Sequence, residues 1–163
     1  KVVPGSTPPD LSFPSPNGGS VHIRAENDRH KLVIFYRGAF CPICLMSLKE
    51  VSSKMDALTA AGVDVVAISA DPVETTQQLV VDNPELSKLT FGNDLKEDAI
   101  RQLGLYISDP TFYTPQTYRF SEPGYYFLNP DSTIHYVDIA SAPVGGRPNV
   151  DLLLMAKEYV ANR

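Results

Sequence analysis

The sequence predicts an α/β fold around a mixed β-sheet, and three observations carry that prediction. Leu32-Val33-Ile34-Phe35-Tyr36 is a continuous apolar, β-rich run, as a central strand covered on both faces requires. A helical repeat then separates it from a second apolar run, Val63 to Ser69, which makes a β-α-β unit with a right-handed crossover. Further on, Tyr125 to Leu128 and Thr133 to Ile139 flank the turn Asn129-Pro130-Asp131-Ser132, an antiparallel hairpin with Pro where a type I turn favours it. At 163 residues the chain suits one domain, 1–163, with a full core.

Taken in order, residues 4 to 19 hold eight Pro or Gly and read as an extended N-terminal segment, about 1–20, with Gly18-Gly19 as a turn. Val21 to Arg24 reads as a short edge strand. After the central strand, Leu45, Leu48, Val51, Met55 and Leu58 recur at helical spacing while Lys49, Glu50, Ser53, Lys54 and Asp56 fall elsewhere, so one helix is expected up to a stop at Gly62. Asp71-Pro72 opens another helix to about Asp82, with Pro in the first helical position. Leu89 to Gly92 is a short strand, Leu95 to Leu103 a short helix ended by Gly104, and 107–122 a long loop bearing Pro and Tyr. Asn149 caps a closing helix to about Val160.

Composition narrows the function. Fourteen Lys and Arg against nineteen Asp and Glu give a net charge of −5, which offers no positive field for a phosphate backbone and argues against nucleic acid as a partner. No apolar run approaches the length needed to cross a bilayer, so no membrane partner is expected. Lys1-Val2-Val3-Pro4-Gly5 lacks the apolar segment of a signal peptide, and the expected compartment is cytoplasmic. Two cysteines are too few to staple a secreted scaffold, which leaves them available for chemistry.

Those two cysteines are Cys41 and Cys44 in Phe40-Cys41-Pro42-Ile43-Cys44, at the junction of the central strand and the first long helix. Chance placement would give this spacing about 1% of the time, so it asks for a cause. Pro42 suits the first helical position, where its missing N–H has no partner to lose and its φ is already helical. Cys41 is then the N-cap, facing the amides of Ile43 and Cys44 at the positive end of the helix, with Arg37 nearby as added positive charge. These effects favour a thiolate and put Cys41 below the ordinary value of about 8.5. Cys44, one turn in and directed toward the buried stripe, is the protected, higher-pKa partner. One helical turn holds the two Cα atoms about 5 to 6 Å apart, within disulfide reach. An exposed nucleophile with a resolving neighbour is what a redox-active dithiol needs. His22, His30 and His135 are single and widely separated, and no metal or other cofactor is called for.

With these residues the chain resembles the thioredoxin fold, a three-layer α/β/α architecture, and within it the peroxiredoxin-like branch of the alkyl hydroperoxide reductase and thiol-specific antioxidant (AhpC/TSA) family. The matching pieces are Pro9-Asp10-Leu11, Phe35-Tyr36-Arg37-Gly38 leading into the two cysteines, Val66-Ala67-Ile68-Ser69-Ala70-Asp71, Phe91-Gly92-Asn93-Asp94, Pro123-Gly124-Tyr125-Tyr126-Phe127-Leu128-Asn129-Pro130-Asp131, and Gly146-Arg147-Pro148. The departures are specific. Peroxiredoxins carry Pro seven and Thr or Ser three residues before the attacking Cys, where this chain has Ile34 and Gly38. They also place an Arg before the late strand, where this chain has Pro123. Pro123 instead resembles the cis proline that faces the CxxC of thioredoxins, so Glu122-Pro123 is expected to be cis. The thioredoxins' buried acid falls on Phe35 and their Trp on Phe40, which leaves Tyr36, Glu122 and Asp71 as unranked candidates for proton transfer to Cys44.

The first functional expectation is a thiol-disulfide oxidoreductase in which Cys41 attacks a protein or small-molecule disulfide and Cys44 releases the product, with a thiol reductant system as partner. The alternative is a thiol peroxidase in which Cys41 attacks a hydroperoxide and Cys44 condenses with the sulfenic acid. Cys41 and Cys44 are the catalytic residues in both, with Arg37, Phe40, Pro42, Glu122 and Pro123 in support. A third reading, from another class, is a binding module whose partner surface is the aromatic loop Tyr106 to Phe120.

Overall fold

The computed structural model describes residues 2–111 and 114–161. Its centre is β3 (His30–Phe35), flanked by β4 (Val63–Ile68) in parallel and by β8 (Gly124–Leu128) antiparallel, with Val33 opposite both Val66 and Tyr126. Adding β5 (Thr90–Gly92) and β9 (Ile134–Ile139) gives one five-stranded mixed sheet in the order β5-β4-β3-β8-β9.

Side chains alternate across a strand, so β3 feeds two cores. On one face Leu32, Ile34 and Tyr36 pack with Leu48 and Val51 of α1 (Pro42–Ser53), Leu79 of α3 (Val73–Asp82), and Val150 and Leu153 of α5 (Val150–Ala161). On the other, Val33 and Phe35 meet Tyr126, Phe120, Leu95, and Ile100 of α4 (Glu97–Gln102). Helices on both faces of a mixed sheet give the three-layer thioredoxin architecture that the β-α-β and hairpin patterns imply. The run Leu32 to Phe35 lacks polar residues because both of its faces are inside.

Local differences from the sequence reading have local causes. The first helix is two: α1 ends at Ser53 and α2 (Met55–Ala60) starts after Lys54, which sits at φ −111° and ψ 11°. The Ser53 hydroxyl competes for the Glu50 carbonyl (2.6 Å), the Lys54 N–H turns to the Val51 carbonyl (3.0 Å) instead, and Ser52 ties this end of the helix to the Glu85 carbonyl (2.5 Å). Pro72 is the N-cap of α3, at φ −68° and ψ 159°, rather than its first helical residue. The N-terminal segment is not merely extended, since β1 (Ser12–Pro14) pairs with β2 (Ser20–His22) in a small sheet of its own. The long loop is pinched as well: β6 (Ile107–Ser108) pairs with β7 (Phe120–Ser121), which brings position 108 beside the start of β8. Asn149 caps α5 as expected, its Oδ1 accepting from the Leu152 N–H at 3.1 Å. Among the described residues no helix is long and apolar enough to cross a membrane.

Candidate active site

The chain leaves β3 at Tyr36, whose N–H still bonds the Ile68 carbonyl at 3.1 Å, and turns at Gly38 with φ +149°. A Cβ at position 38 would lie 2.8 Å from Asp71 Oδ1 and 2.9 Å from the Phe40 ring, so the turn needs glycine for both its φ and its closeness. Asp71 is buried and fastens the approach to the dithiol: its carboxylate accepts from the Ala39 N–H (2.8 Å) and the Tyr118 hydroxyl (2.6 Å). Burial pushes its carboxyl upward from the ordinary range, against these two hydrogen bonds. Asp71 thereby fastens the loop that leads into Cys41. Tyr36 is fully buried, and its phenol is likewise driven upward by loss of water.

Cys41 is the N-cap of α1, with extended backbone at φ −100° and ψ 103°, and Pro42 occupies the first turn as its fixed φ dictates. The Cys41 Sγ accepts from the Cys44 N–H at 3.3 Å. Both cysteines are free thiols. The Cys41 thiol is depressed to about 6, first by a hydrogen bond from the Cys44 thiol, then by the Cys44 amide and the Arg37 guanidinium, with burial opposing them. Cys44 is driven far upward, first by that same bond to Cys41 and then by burial. The expected asymmetry is present, but its main source is the second thiol, and of the two amides expected under Cys41 only that of Cys44 binds it. A second correction concerns access. Cys41 is 2% exposed and Cys44 4%, because the Cys41 side chain folds under the helix start into the core that holds Leu48 and Tyr125.

Around the pair, Arg37 lies between two rings, its guanidinium 5.4 Å from the centroid of Phe40 and 5.0 Å from that of Phe120. The rings themselves meet edge to face at 5.1 Å. Arg37 Nε bonds the Glu122 carboxylate at 3.2 Å, and Ser108 Oγ donates to the same carboxylate at 2.7 Å. Pro123, Gly146, Arg147 and Pro148 line a narrow cleft against Cys44, and Gly146 packs directly on the Pro123 carbonyl.

The expected cis bond is absent. Among the described residues every peptide bond is trans, Glu122–Pro123 included. Ser121 still pairs with Ile107, and Gly124 already pairs with Phe35 and Ile139. The chain thus runs extended through Pro123, whose carbonyl accepts from the Ala140 N–H at 2.9 Å. Structure thus gathers Arg37, Phe40, Cys41, Pro42, Cys44, Glu122 and Pro123 at one end of the sheet. Sequence reasoning missed Ser108, which carries no local signal, and the clamp formed by Asp71 and Tyr118. Within the aromatic loop offered as a partner surface, Phe112 and Tyr113 lie outside the described residues.

A model of the AhpC/TSA family matches residues 4–137. The chain belongs to the AhpC/TSA family. It is similar to the peroxiredoxin Bcp of Escherichia coli K12, 30% identical over 102 residues, which are 63% of this chain and 64% of the relative. The chain therefore spans slightly less than two thirds of the length of the curated relatives it matches. In fold it is similar to peroxidoxin BcpB of Mycobacterium tuberculosis (TM-score 0.77, 16% identity, covering 98% of this chain and 99% of the other). AhpC of the same organism gives a TM-score of 0.79 at 14% identity, over 98% of this chain and 93% of the other. In this chain Arg37 supplies positive charge to Cys41 from the loop that precedes it.

Proposed function

We propose that this AhpC/TSA protein is a thiol peroxidase that reduces hydroperoxides through Cys41 and is reset by a thiol reductant. The Cys41 thiolate attacks one peroxide oxygen, the O–O bond breaks, and the leaving oxygen takes a proton as alcohol or water, which leaves Cys41 as a sulfenic acid. The Cys44 sulfur then attacks Cys41, water leaves, and a Cys41–Cys44 disulfide forms. Two electrons from two external thiol groups return the pair to the dithiol and yield the reductant's disulfide. Arg37 stabilises the negative charge at each stage, and Phe40 and Glu122 hold it there.

The observation that carries the reading is Cys41 at the N-cap of α1 with its Sγ accepting from the Cys44 N–H at 3.3 Å, in a chain of the AhpC/TSA family; the thiol's depression to about 6 agrees with it. Disulfide exchange, the first expectation from sequence, uses the same sulfur but yields to this reading on two counts. The curated relatives carry peroxiredoxin names. A sulfur 2% exposed also suits a small hydroperoxide better than a disulfide carried on another protein. Cycling of the pair requires a compartment that supplies thiols, and the proposal accordingly keeps the cytoplasm.

The test is stopped-flow mixing of the reduced protein with hydrogen peroxide and, separately, with a model protein disulfide. Rapid loss of the Cys41 thiol to peroxide is expected, with Cys41→Ser inert and Cys44→Ser accumulating a dimedone-reactive sulfenic acid. Faster reaction with the protein disulfide would return the assignment to disulfide exchange. Inertness to both would favour a binding module.

A further inference from the structure

Glu122 is 3% exposed and stands immediately before β8. A buried carboxylate is costly unless paired, and two donors converge on this one: Arg37 Nε at 3.2 Å and Ser108 Oγ at 2.7 Å. Glu122 therefore takes the inner nitrogen of the guanidinium and leaves its terminal nitrogens for other partners. The guanidinium stacks on Phe40, the residue next to Cys41, and its hydrogen bond and charge favour the Cys41 thiolate. Without the carboxylate, Arg37 keeps the faces of Phe40 and Phe120 but loses its anchoring ion pair, and its side chain is already 21% exposed, so solvent competes for it.

We propose that Glu122 is a positioning residue: with Ser108 it holds the Arg37 guanidinium on the Phe40 and Phe120 rings at the dithiol, although its own charge there opposes an anionic sulfur. Ser108 completes the device from the β6–β7 pinch, which ties the order of that hairpin to the reactivity of the thiol. The inference rests on Cys41 being the reactive thiolate and is independent of which oxidant it meets. The titratable and charged groups around the dithiol are Arg37 with Glu122 behind it, Tyr36 and Arg147 in the cleft at Cys44, and the two cysteines themselves, with Asp71 acting through the Ala39 amide.

The two roles a carboxylate can play here predict opposite signs. As a positioning residue, its loss in Glu122→Ala or its withdrawal by one methylene in Glu122→Asp raises the Cys41 titration midpoint, whereas Glu122→Gln keeps the shape and an acceptor for Arg37 Nε and leaves the midpoint unchanged or lower. As a mere electrostatic damper, loss of charge in both Ala and Gln lowers it. The experiment is iodoacetamide alkylation of Cys41 against pH in the reduced full chain, with thermal melting run on the same samples. A rise of about one unit from the native midpoint of about 6 slows alkylation about fivefold at pH 6 in the Ala and Asp variants, with Gln restoring the native rate. If Ala fails to fold, the Asp and Gln pair decides alone. A lowered midpoint in both Ala and Gln, or melting shifts with no change of midpoint in any variant, overturns the proposal. Since no peroxide is used, failure of the peroxidase reading leaves this result standing.

Discussion

Removal of the Cys44 thiol isolates the largest cause of Cys41 acidity. Cys44→Ala deletes the S–H that hydrogen-bonds the Cys41 thiolate and leaves the Cys44 backbone N–H at 3.3 Å in place. A hydrogen bond to a charged group contributes about 1.5 to 3 kcal/mol, which is about one to two pKa units. The Cys41 midpoint should therefore climb from about 6 to about 7 or 8, since Arg37 and the amide persist while the burial that opposes them does too. At pH 6 the thiolate fraction would drop from about a half to between about a tenth and a hundredth, so alkylation slows about five- to fiftyfold. Thiolate absorbance near 240 nm, followed against pH in the reduced protein, gives the midpoint directly. Cys44→Ser supplies the control, because its O–H still donates from the same position and should keep the midpoint near the native value. If Cys44→Ala and the native protein titrate together, the thiol–thiolate bond is not what acidifies Cys41, and the explanation reverts to the helix start and Arg37.

Two further outcomes follow from the same geometry. The native Cys41 pKa lies below that of the unfolded chain, so its thiolate stabilises the fold fully above about pH 9, and the contribution is lost as pH falls through about 6. The difference in urea midpoint between the reduced native protein and Cys41→Ala should thus narrow from pH 9 down to pH 6, and a constant difference would contradict the shift. Gly38→Ala places a methyl 2.8 Å from Asp71 Oδ1 at a φ of +149°, and should cost about 1 to 3 kcal/mol in chemical denaturation while loosening the Ala39 bond to Asp71. An unchanged midpoint would mean that this turn relaxes freely.

Much of the scaffold was legible because it rests on local patterns. The all-apolar stretch of β3 is buried on both faces, the β-α-β order forces a parallel neighbour, and Asn129 to Ser132 turns the hairpin. The break at Lys54 was not legible, since helical periodicity continues across it and the Ser52 bond to the Glu85 carbonyl spans distant sequence. Pro123 misled in another way. A proline permits either isomer, and the choice fell to pairings on both sides of it, with Ile107 before and Phe35 after.

The sequence by itself determined the dithiol: Pro42 sets a helix start, so Cys41 caps it and Cys44 follows one turn behind, and both consequences come from backbone geometry within a few residues. Tertiary structure alone decided how acidic and how accessible that dithiol is. Arg37 reaches Cys41 with Glu122 and Ser108 behind it, residues 85 and 14 positions apart from their partners in the chain, and Asp71 holds the turn at Ala39 from across the sheet. Electrostatic interactions depend on distance in space and on exclusion of water, and neither is written in the order of residues until the sheet brings those segments together.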